Sequence, residues 1–369
     1  MKSLYSGYYG AQNSGDDAFV DVASWGASKY WGVTEHLFFA SELPKIYKEV
    51  SHYSAHAGYL NFSKAIKDIF LSDIFITAGG SMFHSALTKS DLRTYVKLKK
   101  RLGFAGKTGA IGVSLGPYKS IKAENSTVNY LRTLDFLALR DTRSYLLAES
   151  YNLPYEPVRA FDLAALLPEI YNSRNNKITF NNNLNKKIVG VSICNYESLV
   201  GGELKKEEER NQYLFQVLKE LSKEKDIRFR FFIFNGNERF GDKQITMNFI
   251  QKLNSGNDLA FEVIEYKKNV KATWENICAC NLMISVRLHG AIFACYANVP
   301  FFLMEYHRKC TDFLKDVGQD EKFLLNPWNY SVSTITNTIM EVLNENNYIV
   351  PKNIQETKLR ATWNFTKTY

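Results

Sequence analysis

The sequence predicts an α/β protein of two doubly wound domains that face a cleft. Apolar, strand-like stretches alternate with helix-like stretches in both halves of the chain, which is typical of mostly parallel sheets with helices on both faces. A stretch rich in Asn and Lys, residues 173–187, separates the halves and is typical of a linker. We therefore expect domains over 1–172 and 188–345, and a tail, 346–369, that crosses back to the first domain rather than contacting a membrane.

Composition restricts the classes of function. The 369 residues suit two domains, and 45% hydrophobic with 23% charged residues is typical of a globular protein. The net charge of +8 favours an anionic ligand or surface, but no nucleic-acid-binding motif is present. The start of the chain does not resemble a signal peptide, and no apolar stretch could span a bilayer. The cysteine spacing predicts reduced thiols and a cytoplasmic protein, without a metal site.

The first half begins with a strand-like stretch, Ser3–Tyr9, and a glycine-rich loop. Glycines let the backbone approach a ligand closely, so the loop residues Tyr9, Gly10, Asn13 and Asp16 are candidates for a phosphate or sugar site. A plain strand-to-helix turn is the alternative. A later apolar strand, which begins near Asp73, ends in glycines and runs into further candidates, Gly80, Ser81 and His84. The alternative for His84 is a structural histidine at the surface.

Other segments of the first half complete the predicted alternation. A second strand is predicted over His36–Phe39, and helix-favouring residues over 42–49 predict a helix after it. The strand-like stretch that begins at Leu134 ends in Arg140 and Asp141, which places a second candidate cation at a strand end. The alternative is an ion pair between Arg140 and Asp141.

In the second half, an apolar strand ends in Arg287-Leu288-His289, and a helix-like run follows. Ligands of open α/β sheets bind outside the carboxyl ends of strands, and an anion gains from a helix N-terminus. Arginine offers paired donors to a carboxylate or phosphate, and histidine transfers protons near neutral pH. The alternative is a surface ion pair beside a half-buried histidine. The next strand exits through Tyr306 and Lys309, which we also expect at this edge.

Several stretches together resemble the polysaccharide pyruvyl transferase family. They occur in the family's order over nearly the whole chain, and they are Gly7-Tyr8-Tyr9-Gly10-x-x-Asn13-x-Gly15-Asp16, Gly79-Gly80-Ser81, Gly112-x-x-x-Gly116-Pro117, Leu139-Arg140-Asp141-x-x-Ser144, Arg287-Leu288-His289, and Val299-Pro300 through Tyr306-x-x-Lys309. The resemblance implies two Rossmann-like domains similar to the GT-B glycosyltransferases. It also implies transfer of pyruvate from phosphoenolpyruvate to sugar hydroxyls, commonly as a ketal. The chain departs from the family at Ala78, where relatives often have a third glycine, and at Gly290, which is often larger.

The resemblance also implies roles for individual residues. His289 matches the expected general acid, and Arg287, Arg140, Lys309 and Leu288 are expected at phosphoenolpyruvate. The first domain is expected to take the acceptor, through Tyr9, Gly10, Asn13, Asp16, Gly80, Ser81 and His84, with Tyr306 also at the cleft. Phosphoenolpyruvate is a co-substrate, so we expect no resident cofactor. No cluster in the sequence has metal-ligand spacing, so we expect no metal.

The predicted function is ketal pyruvyl transfer during synthesis of bacterial surface polysaccharide, such as capsule or exopolysaccharide. The basic charge favours a polyprenyl-diphosphate-linked oligosaccharide as acceptor, with peripheral contact at the inner face of the cytoplasmic membrane. The alternatives are a GT-B glycosyltransferase with a nucleotide-sugar donor, which needs a nucleotide site near residues 235–238, and an inactive sugar-binding protein.

Overall fold

A computed structural model describes residues 1–171, 186–255, 259–345 and 347–369. Contacts between Cα atoms divide the chain into two compact units. Unit 1 comprises residues 1–11, 16–170 and 355–369, and unit 2 comprises residues 12–15 and 171–354. Most of the predicted linker, residues 173–185, lies outside the described residues. The short stretch 12–15, which the sequence placed in the first domain, clusters with unit 2.

Unit 1 contains a parallel sheet of seven strands in the order β3-β2-β1-β4-β5-β6-β7. Its strands are β1 (Lys2–Ser6), β2 (Glu35–Phe39), β3 (Ser51–Tyr53), β4 (Ile74–Phe83), β5 (Lys107–Leu115), β6 (Phe136–Leu139) and β7 (Val158–Arg159). The strand order reverses between β1 and β4, which pair directly. This reversal is the switch point at which doubly wound sheets bind ligands.

Unit 2 contains a second parallel sheet, in the order β10-β9-β8-β11-β12-β13. Its strands are β8 (Lys187–Ser192), β9 (Ile227–Phe232), β10 (Phe261–Ile264), β11 (Leu282–Ser285), β12 (Phe301–Met304) and β13 (Leu324–Leu325). Here the switch point lies between β8 and β11. The two sheets confirm the prediction of two doubly wound, parallel α/β units.

Helices connect the strands along the chain. They are α1 (Ser14–Trp31), α2 (Tyr59–Leu71), α3 (Leu92–Arg101), α4 (Ile121–Leu131), α5 (Thr142–Glu149), α6 (Leu167–Tyr171), α7 (Glu197–Val200), α8 (Leu204–Leu221), α9 (Lys243–Asn254), α10 (Val270–Cys278), α11 (Leu288–Tyr296), α12 (Arg308–Val317), α13 (Val332–Glu345) and α14 (Ile354–Thr366). Short 3₁₀ turns cover residues 163–166 and 321–323. The prediction of a helix over 42–49 is wrong, because Pro44 disfavours helical backbone at Leu43 and too few residues remain beyond it.

Buried aliphatic and aromatic side chains form the cores. Strand and helix residues such as Leu4, Phe75 and Val96 are buried together in unit 1, and Val191, Phe231 and Leu214 are buried together in unit 2. Helices therefore pack on sheets through their apolar faces, which is the main source of stability for such layers.

The C-terminal helix α14 packs within unit 1. The Trp31 indole donates to the carbonyl of Phe365 at 2.8 Å, and the Asn364 amide donates to the carbonyl of Phe161 at 2.8 Å. Asn364 also accepts from the backbone N–H of Gly112 at 2.7 Å. These buried hydrogen bonds join the end of the chain to the first sheet.

Candidate active site

Arg287-Leu288-His289 follows β11 directly and opens α11, at the switch point of the second sheet. Arg287 is the N-cap residue of α11, with extended backbone, and Leu288 begins the helix. All three residues are half-buried. The apolar strand thus delivers Arg287 and His289 to the edge where an open α/β sheet binds its ligands.

Two buried serines fix the backbone of this turn. Ser192, at the end of β8, and Ser285, at the end of β11, have their hydroxyl oxygens 2.6 Å apart. The Ser285 hydroxyl donates to the carbonyl of Arg287 at 2.6 Å. A Cβ at position 290 would lie 2.3 Å from Ser285 Oγ, so the departure from the family at Gly290 is matched by a serine that occupies the space.

The guanidinium of Arg287 is held by a buried carboxylate. Its Nε donates to both carboxylate oxygens of Asp242, at 3.2 and 3.1 Å, and its Nη2 also donates to Asp242. Burial opposes the positive charge, but Cys194 and Asp242 outweigh it and raise the pKa of Arg287. Among the described residues, none accepts a hydrogen bond from Nη1, which leaves that nitrogen for an anionic ligand.

Asp242 is itself fixed by the loop that follows β9. Its carboxylate accepts from the backbone N–H of Asn235 at 2.9 Å, and its own N–H donates to the carbonyl of Asn235 at 2.9 Å. Only 1% of Asp242 is exposed, so its orientation depends on these bonds and on Arg287. Arg287 is therefore preorganised through a chain of contacts that begins in this loop.

The segment 12–15 joins the same network within unit 2. Asn13 forms an antiparallel bridge with Asn235, and the N–H of Gly236 donates to the carbonyl of Gln12 at 2.8 Å. Asn13 thus belongs structurally to the turn that positions Asp242, although the sequence placed it with the acceptor residues of the first domain.

Gly15 fits directly against the imidazole of His289. A Cβ on Gly15 would lie 2.1 Å from His289 Nδ1, which no side chain could do without moving the ring. On another side, the ring meets Phe293 edge to face at 6.4 Å between centroids, and Phe293 packs on Trp274 at 6.1 Å. The glycine of the N-terminal motif and an aromatic pair therefore define where the imidazole lies.

The exit of β12 carries Tyr306 and Lys309 in the same unit. The Tyr306 ring packs on Tyr196 at 4.8 Å, and His307 caps α12 by accepting from the N–H of Lys309 at 3.2 Å. Burial, with the nearby charges of Lys309 and Arg308, lowers the pKa of His307 to about 4. His307 is therefore neutral at physiological pH and caps the helix as an acceptor.

Arg140 lies in unit 1 and pairs with Asp162 rather than with Asp141. Its Nη1 donates to Asp162 at 3.0 Å, its Nε donates to the Ser114 hydroxyl at 2.7 Å, and its Nη2 lies 3.5 Å from Ser81 Oγ. Asp141 instead caps α5. The alternative of an Arg140–Asp141 pair is therefore wrong, and the structure brings Arg140 and Ser81 together.

The other candidates of the first domain lie at the carboxyl ends of β1 and β4. Gly80 has a φ of +76°, and a Cβ there would lie 3.8 Å from an Asp16 carboxylate oxygen. His84 Nδ1 is 3.0 Å from the carbonyl of Ser81, and its ring stacks with Tyr8 at 6.5 Å. Asp16, Gly80, Ser81 and His84 are thus near one another at the switch point of the first sheet.

Tyr9 lines a polar cavity of about 420 Å³ in unit 1, and Gly10 lies in the turn that follows Tyr9. The Tyr9 hydroxyl donates to the carbonyl of Ala78 at 3.0 Å, so its ring forms a fixed wall. Gly10 has a φ of +78° and leaves no room for a Cβ beside the carbonyl of Glu42. Other polar side chains that line the cavity include Ser41, Ser54, His56, Asp91 and Arg93.

The predicted residues therefore fall into two groups. Asn13, Arg287, Leu288, His289, Tyr306 and Lys309 belong to unit 2, and Tyr9, Gly10, Asp16, Gly80, Ser81, His84 and Arg140 belong to unit 1. Asp242, Asp162 and the role of Gly15 were missed. The position of Asp242 in the sequence could have suggested its role. An aspartate that follows a strand-end loop and precedes a helix-like stretch is typical of a helix cap or of a buried ion-pair partner.

Three further observations concern metals, cysteines and membranes. Within the described ranges, no cluster of His, Cys, Asp and Glu could hold a metal ion. The cysteines, Cys194, Cys278, Cys280, Cys295 and Cys310, are free thiols. Among the helices of the described residues, none is long and apolar enough to cross a membrane.

Solved structures share this architecture at low sequence identity. A candidate UDP-N-acetylglucosamine 2-epimerase from Listeria monocytogenes has a TM-score of 0.64 at 11% identity, over 98% of this chain and 93% of that one. The UDP-GlcNAc 2-epimerase of Methanocaldococcus jannaschii has a TM-score of 0.57 at 14% identity, over 95% of each chain. The trehalose 6-phosphate synthase of Burkholderia multivorans has a TM-score of 0.55 at 9% identity, over 100% and 93%. These similarities confirm the GT-B-like, two-domain α/β fold.

Sequence comparison identifies the family. No curated protein matches the chain. The sequence profile of the polysaccharide pyruvyl transferases matches residues 13–308, most of the chain, including Asn13, Arg140 and the Arg287-Leu288-His289 turn. The chain is therefore a member of the polysaccharide pyruvyl transferase family.

Proposed function

We propose that this transferase moves pyruvate from phosphoenolpyruvate onto two hydroxyls of a sugar as a ketal and releases phosphate. The observation that carries the proposal is the fixed pair at the start of α11. Asp242 aligns the guanidinium of Arg287, and His289 follows in the first turn of the same helix. A cation and a proton-transferring group thus lie two residues apart on one rigid element.

Phosphoenolpyruvate, the proposed donor, carries a carboxylate and a phosphate on three carbons, so its binding site needs positively charged groups for both. Arg287 offers Nη1 to one anionic group, and the N-terminus of α11 adds the positive end of a helix dipole. Lys309, at the start of α12 in the same unit, is the second cation we assign to the donor. Arg140 is a further predicted donor residue, aligned by Asp162 in unit 1.

The chemistry then follows from proton transfer at carbon. His289 donates a proton to the methylene carbon of phosphoenolpyruvate, which leaves an oxocarbenium-like centre at C2. A sugar hydroxyl attacks C2 and loses its proton, and the bond from C2 to the phosphate oxygen breaks. A second hydroxyl of the sugar then attacks C2 and closes the ketal. Of the two hydroxyl protons released, one restores the acid form of His289 and the other leaves with phosphate. Arg287 and Lys309 stabilise the charge that develops on the departing phosphate.

We assign the acceptor to unit 1. The polar cavity that Tyr9 borders and the neighbouring switch-point group of Asp16, Ser81 and His84 offer hydroxyl, carboxylate and imidazole groups of the kind that bind sugars. The acceptor class we favour is an oligosaccharide on a polyprenyl diphosphate carrier, because the net charge of +8 suits an anionic carrier at a membrane surface.

The experiment is phosphate release from phosphoenolpyruvate with a panel of lipid-linked and nucleotide-linked sugars, with the mass of each product recorded. Phosphate release with a mass gain equal to pyruvate minus water supports ketal transfer and identifies the acceptor. Turnover of a nucleotide sugar without consumption of phosphoenolpyruvate would instead support the glycosyltransferase alternative. The similarity in fold to the trehalose 6-phosphate synthase favours neither function, because the two sequences are only 9% identical and a shared fold does not imply a shared activity.

A further inference from the structure

A groove of about 870 Å³ runs between α3 and α4 in unit 1. Its floor is largely apolar, with Leu87, Tyr95 and Leu98, and four basic residues border it. None of the described residues that line it is acidic. The combination of an apolar floor and a cationic rim is unlike the polar cavity at the carboxyl ends of β1 and β2.

Apolar side chains continue from the groove onto the exposed end of α3. Leu98 and Leu102 lie one turn apart on the helix and are 42% and 59% exposed, and Phe104 beyond them is 49% exposed. The rings of Phe104 and Phe70 are 4.9 Å apart between centroids. The C-terminal end of α3, which we call the apolar tip, therefore adjoins the end of α2, where Leu71 is 67% exposed. Large apolar side chains rarely cluster at the surface without a function.

Basic side chains surround this apolar tip. We define the α3 surface as the face formed by the exposed Leu98, Arg101, Leu102 and Phe104 and the half-buried Lys97 and Lys100. Lys100 binds Asp135 at 2.7 Å, so part of its charge is neutralised. Among the described residues, no carboxylate forms an ion pair with Lys97 or Arg101. The α3 helix contains no acidic residue, and its net charge therefore remains strongly positive.

The position of the α3 surface separates it from the ligand sites. Helix α3 leads into β5, so its C-terminal end lies at the amino-terminal edge of the first sheet. Tyr9, Gly80 and His84 belong to the opposite, carboxyl-terminal edge. A partner bound to the α3 surface would thus leave the candidate sugar site of unit 1 accessible.

We propose that the α3 surface docks the protein on an anionic lipid bilayer. Leu102 and Phe104 enter the boundary between head groups and acyl chains, and the basic side chains bind lipid phosphates. Exposed apolar tips flanked by Lys and Arg are the composition that such interfaces require, because burial of apolar area and attraction to anionic head groups act together. A neutral bilayer would lack the second contribution.

The test is sedimentation of the full-length chain with vesicles of phosphatidylcholine, or of phosphatidylcholine with phosphatidylglycerol, at low and high salt. We expect binding to the anionic vesicles only, weakened by salt. Leu102→Ser with Phe104→Ser, and separately Lys97→Glu with Arg101→Glu, should each weaken binding at least about tenfold. All four side chains border solvent, so unchanged melting temperatures are expected and are measured in parallel.

A matched control lies on α8 of unit 2. Leu204 is 62% exposed, and the adjacent Lys205 side chain is 87% exposed. Leu204→Ser with Lys205→Glu changes the same residue types elsewhere and should leave binding unchanged. Membrane docking is measured without substrates, so its outcome is independent of pyruvyl transfer.

Three outcomes would overturn the proposal. The first is that the wild-type chain does not bind anionic vesicles. The second is that both variants of the α3 surface bind as tightly as the wild type. The third is that the wild-type chain binds neutral vesicles as tightly as anionic ones. Retained binding to a polyglutamate chain in the absence of vesicle binding would assign the surface to an acidic protein partner instead.

Discussion

The carboxylate of Asp242 clamps the guanidinium of Arg287, with Nε 3.2 and 3.1 Å from its two oxygens. Asp242→Asn would leave Arg287 with a partner that carries no charge and accepts through a single oxygen. We expect the Michaelis constant for phosphoenolpyruvate to rise at least about tenfold, and the free energy of unfolding to fall by about 3 kcal/mol, since a buried pair loses one charge. Steady-state kinetics and urea unfolding measure the two effects.

Glu262→Gln is the matched control for that substitution. Glu262 accepts from Arg230 at 2.8 Å, and this pair lies on β9 and β10 rather than at the start of α11. The control should reduce stability while leaving the Michaelis constant unchanged. Equal effects of both variants on that constant would contradict the positioning role of Asp242.

His289→Asn tests the proton donor. We expect turnover to fall by about 10²–10⁴-fold, the usual contribution of a general acid, while phosphoenolpyruvate still protects the protein against thermal unfolding. His52→Asn, on the edge strand β3, is the control and should retain full turnover. A His289→Asn variant with wild-type turnover would remove this residue from the mechanism.

Gly15→Ala tests the contact between the N-terminal motif and the imidazole. The added Cβ would lie 2.1 Å from His289 Nδ1, so the ring must rotate. We expect turnover to fall at least about tenfold, because misplacement of a catalytic group by about 1 Å is costly. Gly201→Ala, where the added Cβ meets open space, strains a left-handed residue and should affect stability alone. Unchanged turnover in Gly15→Ala would show that the ring position is not critical.

Gly290→Ala tests the packing beneath the Arg287 turn. The methyl group would lie 2.3 Å from Ser285 Oγ, and overpacking of this kind costs about 1–3 kcal/mol. Ser285→Ala removes the clashing oxygen, so the double variant should be more stable than the two single losses predict. If calorimetry shows that the losses of unfolding free energy in the two single variants simply add in the double variant, the strain does not arise between residues 285 and 290.

The buried His36 predicts a pH dependence of stability. Burial, with the charge of Lys48, lowers the pKa of His36 to about 4, against an ordinary value near 6.5. Between these values the unfolded chain binds a proton that the folded chain does not, so stability is lost as pH falls from 6.5 toward 4. The free energy of unfolding should fall by up to about 1.4 kcal/mol per pH unit from this group alone.

His36→Gln identifies the source of that slope. The histidine ring accepts or donates hydrogen bonds with Tyr5 at 2.9 Å and with Ser28 at 2.8 Å, so the variant is less stable at neutral pH. Its unfolding free energy should nevertheless change less between pH 6.5 and pH 4.5 than that of the wild type. Parallel pH profiles would mean that another group is responsible.

The sequence was most informative where strands end. Apolar stretches such as 282–285 predicted buried strands, and the polar residue after each strand was therefore predicted at the ligand edge. By this reasoning the sequence predicted Arg287 and His289 at the start of the helix that follows β11, which is where they lie. The long-range partners were not, because Asp242 is 45 positions from Arg287 and nothing in the local pattern connects the two.

The same limit applies to the N-terminal motif. Its glycines predicted a close approach of the backbone, but the sequence did not show that residues 12–15 cluster with unit 2 or that Gly15 fits against His289. The exposure of Leu102 and Phe104 has no local sequence signal either, because it depends on how α3 packs. Tertiary contacts decide these features.

The most direct test of the central proposal is the product formed from phosphoenolpyruvate and an accepted sugar in deuterated water. Protonation of the methylene carbon predicts phosphate release equal to product formed, and a ketal whose methyl group carries one deuterium from the solvent. Magnetic resonance and mass spectra report both. A product that keeps its vinyl group, or turnover that leaves phosphoenolpyruvate intact, would contradict ketal transfer through His289.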